Sequence, residues 1–541
     1  SRSAASIIRT AIRSLTEPPG LKYSTFATSW APPAGASACS RTSGVLPISS
    51  TMLSKICGSS GSVAMGASIA YLAADVNALT GGRSADYPQV VNALKKTLVV
   101  VGVLLLILVV AVVGYITTKK VKTDRRQDAL AAFYQSPSPL PPGKPGDIIR
   151  SEPLTGSNIN LVNAKAYRVL YRTENPDGTP RVSGGMLFVP DGPAPSGGRK
   201  VISWAHPTVG MGDACAPSRS ATPTKILDWL QGMLNLGWVV TATDYAGLGT
   251  DGTELYLIGQ AEARDVVNAV RMAQRFPGSG AGSTYGVFGH SQGGHAAMWA
   301  GAVGPTYAPE LKLVGVSGAA PASELPALVD QLWNTGIAWV IGSEVFVSYP
   351  AFYPGLKASD VSTSSGLNNY QRVAEKCLID GILEGKVLQG LGESVFTSNP
   401  MDNPAWAAAL KEQTAPPLPA SMPVQVVESV NDGVVLPVTI ASMQQQWCAA
   451  GSKIAVNWMG PLRGTADTPD VMSHMYEGSI GGSLATSWFE QRFQGLPAPD
   501  TCSVVPPLAG GATMPGQPGF TPSPVATPSV TASTPAAASA R

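Results

Sequence analysis

Charge is scarce in this chain. Only 13% of its 541 residues are Asp, Glu, Lys or Arg, and they leave a formal net charge of +2. No basic face offers itself to nucleic acid, so nucleic acid is not expected as a partner, and no acidic run forms a solvating tail. Histidine is scarcer still, with His206, His290, His295 and His474 making up all four. The six cysteines, Cys39, Cys57, Cys215, Cys377, Cys448 and Cys502, include no C-x-x-C pair. With so few histidines to complete a ligand set, a zinc site is not expected and no metal is assigned. Four of the cysteines fall between residues 215 and 502. An even number there permits two disulfides and points to an oxidising compartment.

What is present is length enough for one large domain with additions. Residues 1–90 are rich in Ser, Ala and Gly, with one weak helical patch from Met65 to Leu79. They read as a low-complexity extension, disordered or non-native. Val91, just ahead of Asn92-Ala93-Leu94-Lys95-Lys96, offers an alternative start, a hypothesis that peptides from residues 1–90 in the native protein would contradict. Thr97 to Thr118 is a run of 22 uncharged residues, long enough to cross a bilayer. No Ala-x-Ala site follows, which favours a retained signal anchor over a cleaved signal peptide. Lys119, Lys120, Lys122, Arg125 and Arg126 behind the run outnumber Arg83, Lys95 and Lys96 before it. That balance opposes the outward orientation that paired cysteines favour.

A Pro-rich connector, Ser136 to Asp147, leads into alternating strand and helix patterns. Ala166–Tyr171 and Gly184–Pro190 read as an antiparallel pair. Lys200–Trp204, Gly237–Asp244, Tyr285–His290, Leu311–Ser317, Pro423–Val430 and Lys453–Trp458 read as buried strands. Thr224–Asn235 and Gln260–Phe276 read as helices, the second with Ala263, Val266, Val267, Val270 and Ala273 on its apolar face. Apolar strands alternating with helices predict an α/β fold, a mostly parallel sheet covered on both faces. The rhythm breaks from about residue 321 to 419, where helical patterns carry no convincing strand. This interval is expected to be a helical cap inserted within a catalytic domain of residues 127–503. Residues 504–541 are mostly Pro, Thr, Ala, Ser and Gly and cannot bury a core.

The chemistry centres on Gly289-His290-Ser291-Gln292-Gly293, between an apolar strand and the small-residue run Ala296-Ala297-Met298-Trp299-Ala300. A bare G-x-S-x-G recurs by chance. Framed by strand and helix, it has the form of a nucleophile elbow, with Ser291 held at a strained turn. A serine hydroxyl needs a base, and the base needs a carboxylate to orient it. His290 and His295 are held by the turn and helix beside Ser291, and His206 precedes it at a strand end. Only His474 follows, in the loop before a final helix. The acid belongs after a strand between Ser291 and His474. Asn431-Asp432-Gly433 follows the strand ending at Val430, so Asp432 is favoured over Asp467 and Asp470, which no strand end presents. Two backbone N–H groups must hold the oxyanion. Gln292 supplies one. Pro207 has none to give, so Thr208 is the candidate for the other, with His206 a structural loop residue.

At these residues the chain resembles the secretory lipase family of α/β-hydrolases. The likeness rests on Phe133-Tyr134 with Pro139–Asp147, on Ser203-Trp204-Ala205-His206, and on Asp213–Ser218. It continues through Ala242–Thr250, Gly289–Gly294 and Tyr307–Lys312, and covers roughly residues 130–502. Pro207 stands where that family usually has Gly. The resemblance implies triacylglycerol lipase-like ester hydrolysis, a helical cap over an acyl-binding cleft, no cofactor, and export. It carries nucleophile, acid and base onto Ser291, Asp432 and His474, and implies pairing of Cys215 with Cys377 and of Cys448 with Cys502. The expectation is therefore a serine carboxylic-ester hydrolase acting on a lipid or fatty-acyl ester. It would be secreted or anchored on the outer face of the cytoplasmic membrane through residues 97–118. Leu325, Leu328, Leu332, Trp333, Ile337, Trp339, Val340 and Ile341 would form an acyl slot. Two alternatives remain open: transfer of the acyl group to an envelope lipid or sugar, and a membrane-tethered binding protein without activity.

Overall fold

The computed structural model describes residues 87–155, 159–466 and 468–508. The patch Met65–Leu79, Cys39, Cys57, Asp467 and the tail from residue 509 lie outside them, as does most of the segment read as low-complexity. Two units divide between Ile107 and Leu108.

The first described element is a 48-residue helix, α1 (Tyr87–Tyr134). The apolar run at 97–118 does not form a helix of its own. It is the middle of α1, with Lys95 and Lys96 on one flank and Lys119, Lys120, Lys122, Asp124, Arg125 and Arg126 on the other. Among the described residues no helix is long and apolar enough to cross a membrane. The span and signal anchor expected at 97–118 are corrected accordingly. The last turns of α1 belong to the second unit and are tied into it. Arg126 Nη2 donates to the Ser220 carbonyl at 2.7 Å, Tyr134 meets the Ser218 hydroxyl at 2.5 Å, and the Arg219 guanidinium lies 4.6 Å over the Tyr134 ring.

The second unit is built on nine strands: β1 (Ile148–Pro153), β2 (Ala164–Glu174), β3 (Pro180–Pro190), β4 (Arg199–Ala205), β5 (Val239–Ala246), β6 (Ala281–His290), β7 (Lys312–Ala319), β8 (Val424–Ser429) and β9 (Ile454–Met459). They form one sheet in the order β1-β2-β3-β5-β4-β6-β7-β8-β9. β1, β2, β3 and β5 pair antiparallel, and every pair from β5 to β9 is parallel. The parallel strands read as unbroken apolar runs because helices cover both faces; all eight residues of β5 are buried. β1 escaped the sequence reading because Ile-Ile-Arg-Ser-Glu-Pro shows no alternation, and an edge strand needs none.

Around the sheet lie α2 (Leu230–Asn235), α3 (Gly259–Arg275), α4 (Gln292–Tyr307), α10 (Pro437–Ala449) and α11 (Val471–Phe493). Between β7 and β8 the chain makes five helices: α5 (Leu325–Leu332), α6 (Gly336–Phe352), α7 (Ser364–Ala374), α8 (Leu378–Gly390) and α9 (Pro404–Glu412). α3 buries Ala263, Val266, Val267, Val270 and Ala273, the residues its periodicity selects. The helix expected from Thr224 starts only at Leu230. Single turns such as Leu227 N to Thr224 O and Leu230 N to Leu227 O occupy the stretch between. On the face holding α11, Phe288 of β6 sits fully buried with its ring 5.0 Å from Trp204 and 5.3 Å from Trp229. Truncating a buried ring of this kind costs about 3–5 kcal/mol.

The sheet direction fixes the site. β4, β6 and β8 are parallel, so their carboxyl ends lie along one edge. Those ends deliver the loop from His206, the turn at Ser291 and the loop to Asp432.

Candidate active site

Ser291 joins β6 to α4 at φ 57° and ψ −119°. A non-glycine residue there stores strain, and the surroundings must hold it. Ser291 N–H donates to Ala319 O at 2.9 Å, while Ser291 O accepts from His295 N at 3.0 Å and Ala322 N at 3.2 Å. The flanking glycines are needed for space. A Cβ on Gly289 would stand 1.9 Å from Gly293 O, and one on Gly293 would stand 1.9 Å from Ala205 O. The strand, turn and helix cross too closely for any side chain.

Asp432 and His474 meet across the gap between the β8 loop and α11. His474 Nδ1–H donates to Asp432 Oδ2 at 2.6 Å, and Asp432 Oδ1 accepts from Val434 N at 2.6 Å and Val435 N at 3.0 Å. Asp432 is fully buried and His474 only 4% exposed. A proton held on Nδ1 by the bond to Asp432 fixes the ring's orientation and tautomer. Asp470 has another job. Its carboxylate caps α11 through Met472 N, it pairs with Arg463 at 3.6 Å, and its N–H donates to Asn431 O at 2.9 Å. It thereby ties the loop of Asp432 to the helix of His474.

The other histidines are occupied as structural groups. His290 Nε2–H donates to the His474 carbonyl at 2.9 Å, and the two rings lie 4.7 Å apart. Burial, then the neighbouring His474, hold His290 well below the usual imidazole range, so it packs as a neutral ring. Gly478 is required beside it, since a Cβ there would stand 2.8 Å from His290 Nδ1. His295 places Nδ1 2.9 Å from Glu262 Oε2 and Nε2 2.8 Å from Gln413 O. His206 is fully buried, with its ring nitrogens against Pro207 O and Asp244 O.

Thr208, Ser291 and Gln292 line one cavity. Thr208 is fixed by a 2.7 Å bond between its hydroxyl and Tyr256. Gln292 is fixed by its side-chain amide, which donates to Glu262 Oε1 at 2.9 Å and Glu254 Oε1 at 3.2 Å. The cavity wall away from Ser291 is apolar and comes from the helical insert: Leu325, Leu328, Leu332, Trp333, Ile337 and Ile341. Trp339 and Val340, expected in the slot, belong instead to the packing of the insert. Trp339 turns its indole N–H toward Glu393 O at 3.3 Å, on the far face of α6.

Cys215 is joined to Cys377 and Cys448 to Cys502. The first bond ties the loop after β4 to the start of α8. That junction is close: Leu378 N donates to Val209 O at 2.8 Å, and a Cβ on Gly210 would stand 2.0 Å from Lys376 O.

Sequence reasoning missed the buried acids around the site. Glu254, Glu262, Glu344, Glu428 and Glu477 are all buried. Burial pushes Glu254 up to about 8 and Glu344 well above the carboxylate range. The spacing of Glu477, three residues after His474 and so on the same helical face, was the one local signal available.

The chain can be set beside known proteins. Lipase 4 of Candida albicans is 24% identical over 401 residues, covering 69% of this chain and 83% of that one. A secreted triacylglycerol lipase of Malassezia globosa is 27% identical over 394 residues, covering 68% and 82%. The rice cell wall degrading esterase LipA of Xanthomonas oryzae superposes with a TM-score of 0.56 at 20% identity, covering 65% of this chain and all of that one. That likeness shows the α/β-hydrolase fold. The secretory lipase family model matches residues 222–501, more than half of the chain. With this fold and this match, the chain belongs to the secretory lipase family.

Proposed function

We propose that this lipase-family protein is a serine carboxylic-ester hydrolase that cleaves fatty-acyl esters through an acyl-enzyme. The observation that carries the reading is the 2.6 Å bond from His474 to Asp432 at the sheet edge that also presents Ser291 at its strained turn. In this reading His474 Nε2 takes the Ser291 proton as Oγ attacks the ester carbonyl. The backbone N–H groups of Gln292 and Thr208 hold the oxyanion. His474 then returns the proton to the leaving alcohol, and water repeats the sequence on the acyl-enzyme. Asp432 holds the imidazole in one tautomer and stabilises its charged form.

The apolar cavity wall favours an acyl chain over a polar substrate group. On this reading residues 127–503 are the catalytic domain, and residues 321–419 are a cap whose helices α5 and α6 form the acyl site. Two disulfides and the family fit an exported protein. A turnover profile over acyl esters of increasing length tests the reading, with Ser291→Ala as control. Ser291→Ala should lower turnover by about ten-thousand-fold or more. Turnover retained in that variant, or equal rates across all chain lengths, rejects it.

A further inference from the structure

Behind the Asp432–His474 pair lie two acids, Glu428 and Glu477, that the reaction above does not use. One carboxylate oxygen each of Glu428, Asp432 and Glu477 lies within 4.8 Å of the other two. All three residues are fully buried. Glu428 comes from β8, and Glu477 from α11 one turn beyond His474. Among the described residues no conventional donor bonds to either oxygen of Glu428 or Glu477. The polar neighbours that act on Glu477 are the Ser429 main chain and the Asp432 carboxylate.

Among the described residues, the strands and helix packed against α11 supply no buried cation. β6 contributes His290, a neutral ring already donating to His474 O. β7 contributes only Lys312 at its exposed start, and α2 carries no titratable residue. Asp228, ahead of α2, is taken by the Ser479 hydroxyl. β8 contributes Glu428 itself.

Three buried negative charges at this separation cannot coexist without a cation. Asp432 has the donors a carboxylate needs: two backbone N–H groups and His474. Glu428 has none, and Glu477 faces only the Ser429 main chain, whose pull is outweighed by burial and the Asp432 charge, so these two are the members that carry protons. A protonated carboxyl has an O–H to donate. Burial and the neighbouring carboxylates act on both in that same direction.

We propose that Glu477, held as a neutral carboxylic acid and backed by a neutral Glu428, donates its O–H to the Asp432 carboxylate. It is thus a positioning residue behind the catalytic pair. The donated bond adds to the two backbone bonds on Asp432 and fixes the carboxylate against His474. Glu477 touches neither substrate nor Ser291, so its effect falls on kcat and leaves KM unchanged. The proposal rests on the triad assignment above.

The test compares wild type with Glu477→Gln, Glu477→Leu and Glu428→Gln, using a soluble short-chain ester and infrared difference spectra at neutral pH. Gln keeps a donor and should retain kcat within about threefold. Leu removes it and should lower kcat about 10- to 100-fold at constant KM, as expected for a buried bond to a charged group. The difference spectrum of wild type minus Glu477→Gln should show the carbonyl band of a protonated carboxylic acid. If Glu477→Leu does not fold, that spectrum and the Gln kinetics decide. A carboxylate band in place of the acid band overturns the proposal. So does wild-type kcat in Glu477→Leu, or equal impairment of both variants. Stabilisation by a divalent cation that EDTA reverses overturns it too, since a bound ion would then hold the cluster. Fluorophosphonate labelling of the same samples separates the two readings. A wild type that neither labels nor hydrolyses defeats the triad assignment, while the infrared band still decides whether Glu477 carries a proton.

Discussion

Two sets of buried acids flank the site, and they are held in opposite ways. Beneath the elbow, Glu262 accepts from Leu257 N at 2.9 Å, from the Gln292 amide at 2.9 Å, and through its other oxygen faces His295 at 2.9 Å. Glu254 shares the same amide at 3.2 Å. These carboxyls are nodes joining α3, α4 and the loop that ends at Ile258. Behind Asp432, Glu428 and Glu477 meet chiefly other carboxyls. Burial alone therefore says little about what an acid does. The partners decide whether it ties backbone in place or must keep its proton.

The largest effect that separates the regions is chemical. Asp432→Asn keeps the shape but exchanges a carboxylate for an amide that favours the wrong imidazole tautomer. A fall in kcat of about ten-thousand-fold is expected, measured at saturating ester. A kcat within tenfold of wild type would move the acid elsewhere.

Glu262→Leu strikes the other region. It strands the Leu257 N–H, the Gln292 amide and His295 Nδ1 in the core. Removing one partner of a buried charged network costs about 3–5 kcal/mol, to be read from denaturant unfolding. An unchanged midpoint would mean that the three groups find other partners, and the contrast between the regions would collapse.

Much of the candidate site's edge was legible in the sequence. With His290 and His295 held beside Ser291 and His206 ahead of it, His474 was the histidine left as a candidate base, and the strand ending near Val430 presented Asp432. Periodicity marked β2 to β9 because these strands are buried and apolar. Other parts carried no such signature. β1 is a short edge strand without alternation. The apolar run at 97–118 read as a unit, yet it is the centre of a longer helix. Trp339 and Val340 share α6 with Ile337 and Ile341, and composition alone does not say which face of a uniformly apolar helix meets the cavity. The buried acids were hidden for a related reason. Glu254, Glu428 and Glu477 look like solvated residues until the fold closes over them.

A smaller effect appears in the pH dependence of stability. Burial raises Glu254 from its ordinary value near 4.5 to about 8. Between those values the folded chain holds a proton that the unfolded chain releases. Rising pH therefore favours unfolding, and the stability Glu254 contributes below pH 4.5 is lost as pH passes 8. One such group gives a slope of up to about 1.4 kcal/mol per pH unit. Glu254→Gln should flatten that slope while leaving the Glu262 bonds intact. Identical slopes in both proteins would place the proton elsewhere.

The smallest expected effect is the sharpest check on the contrast. Glu428→Gln replaces a neutral acid that has no conventional donor with a neutral amide of nearly the same shape. Near pH 6 the two proteins should differ by less than about 1 kcal/mol, because no network bond is lost. As pH rises further the variant should gain on wild type, since burial and the charge of its neighbours resist ionisation of Glu428 and the amide has no proton to lose. Denaturant midpoints followed along that rise measure both. A loss at pH 6 as large as that of Glu262→Leu would show that Glu428 is itself a bonded node. The two acid sets would then be built alike, and the protonated pair behind Asp432 would lose its basis.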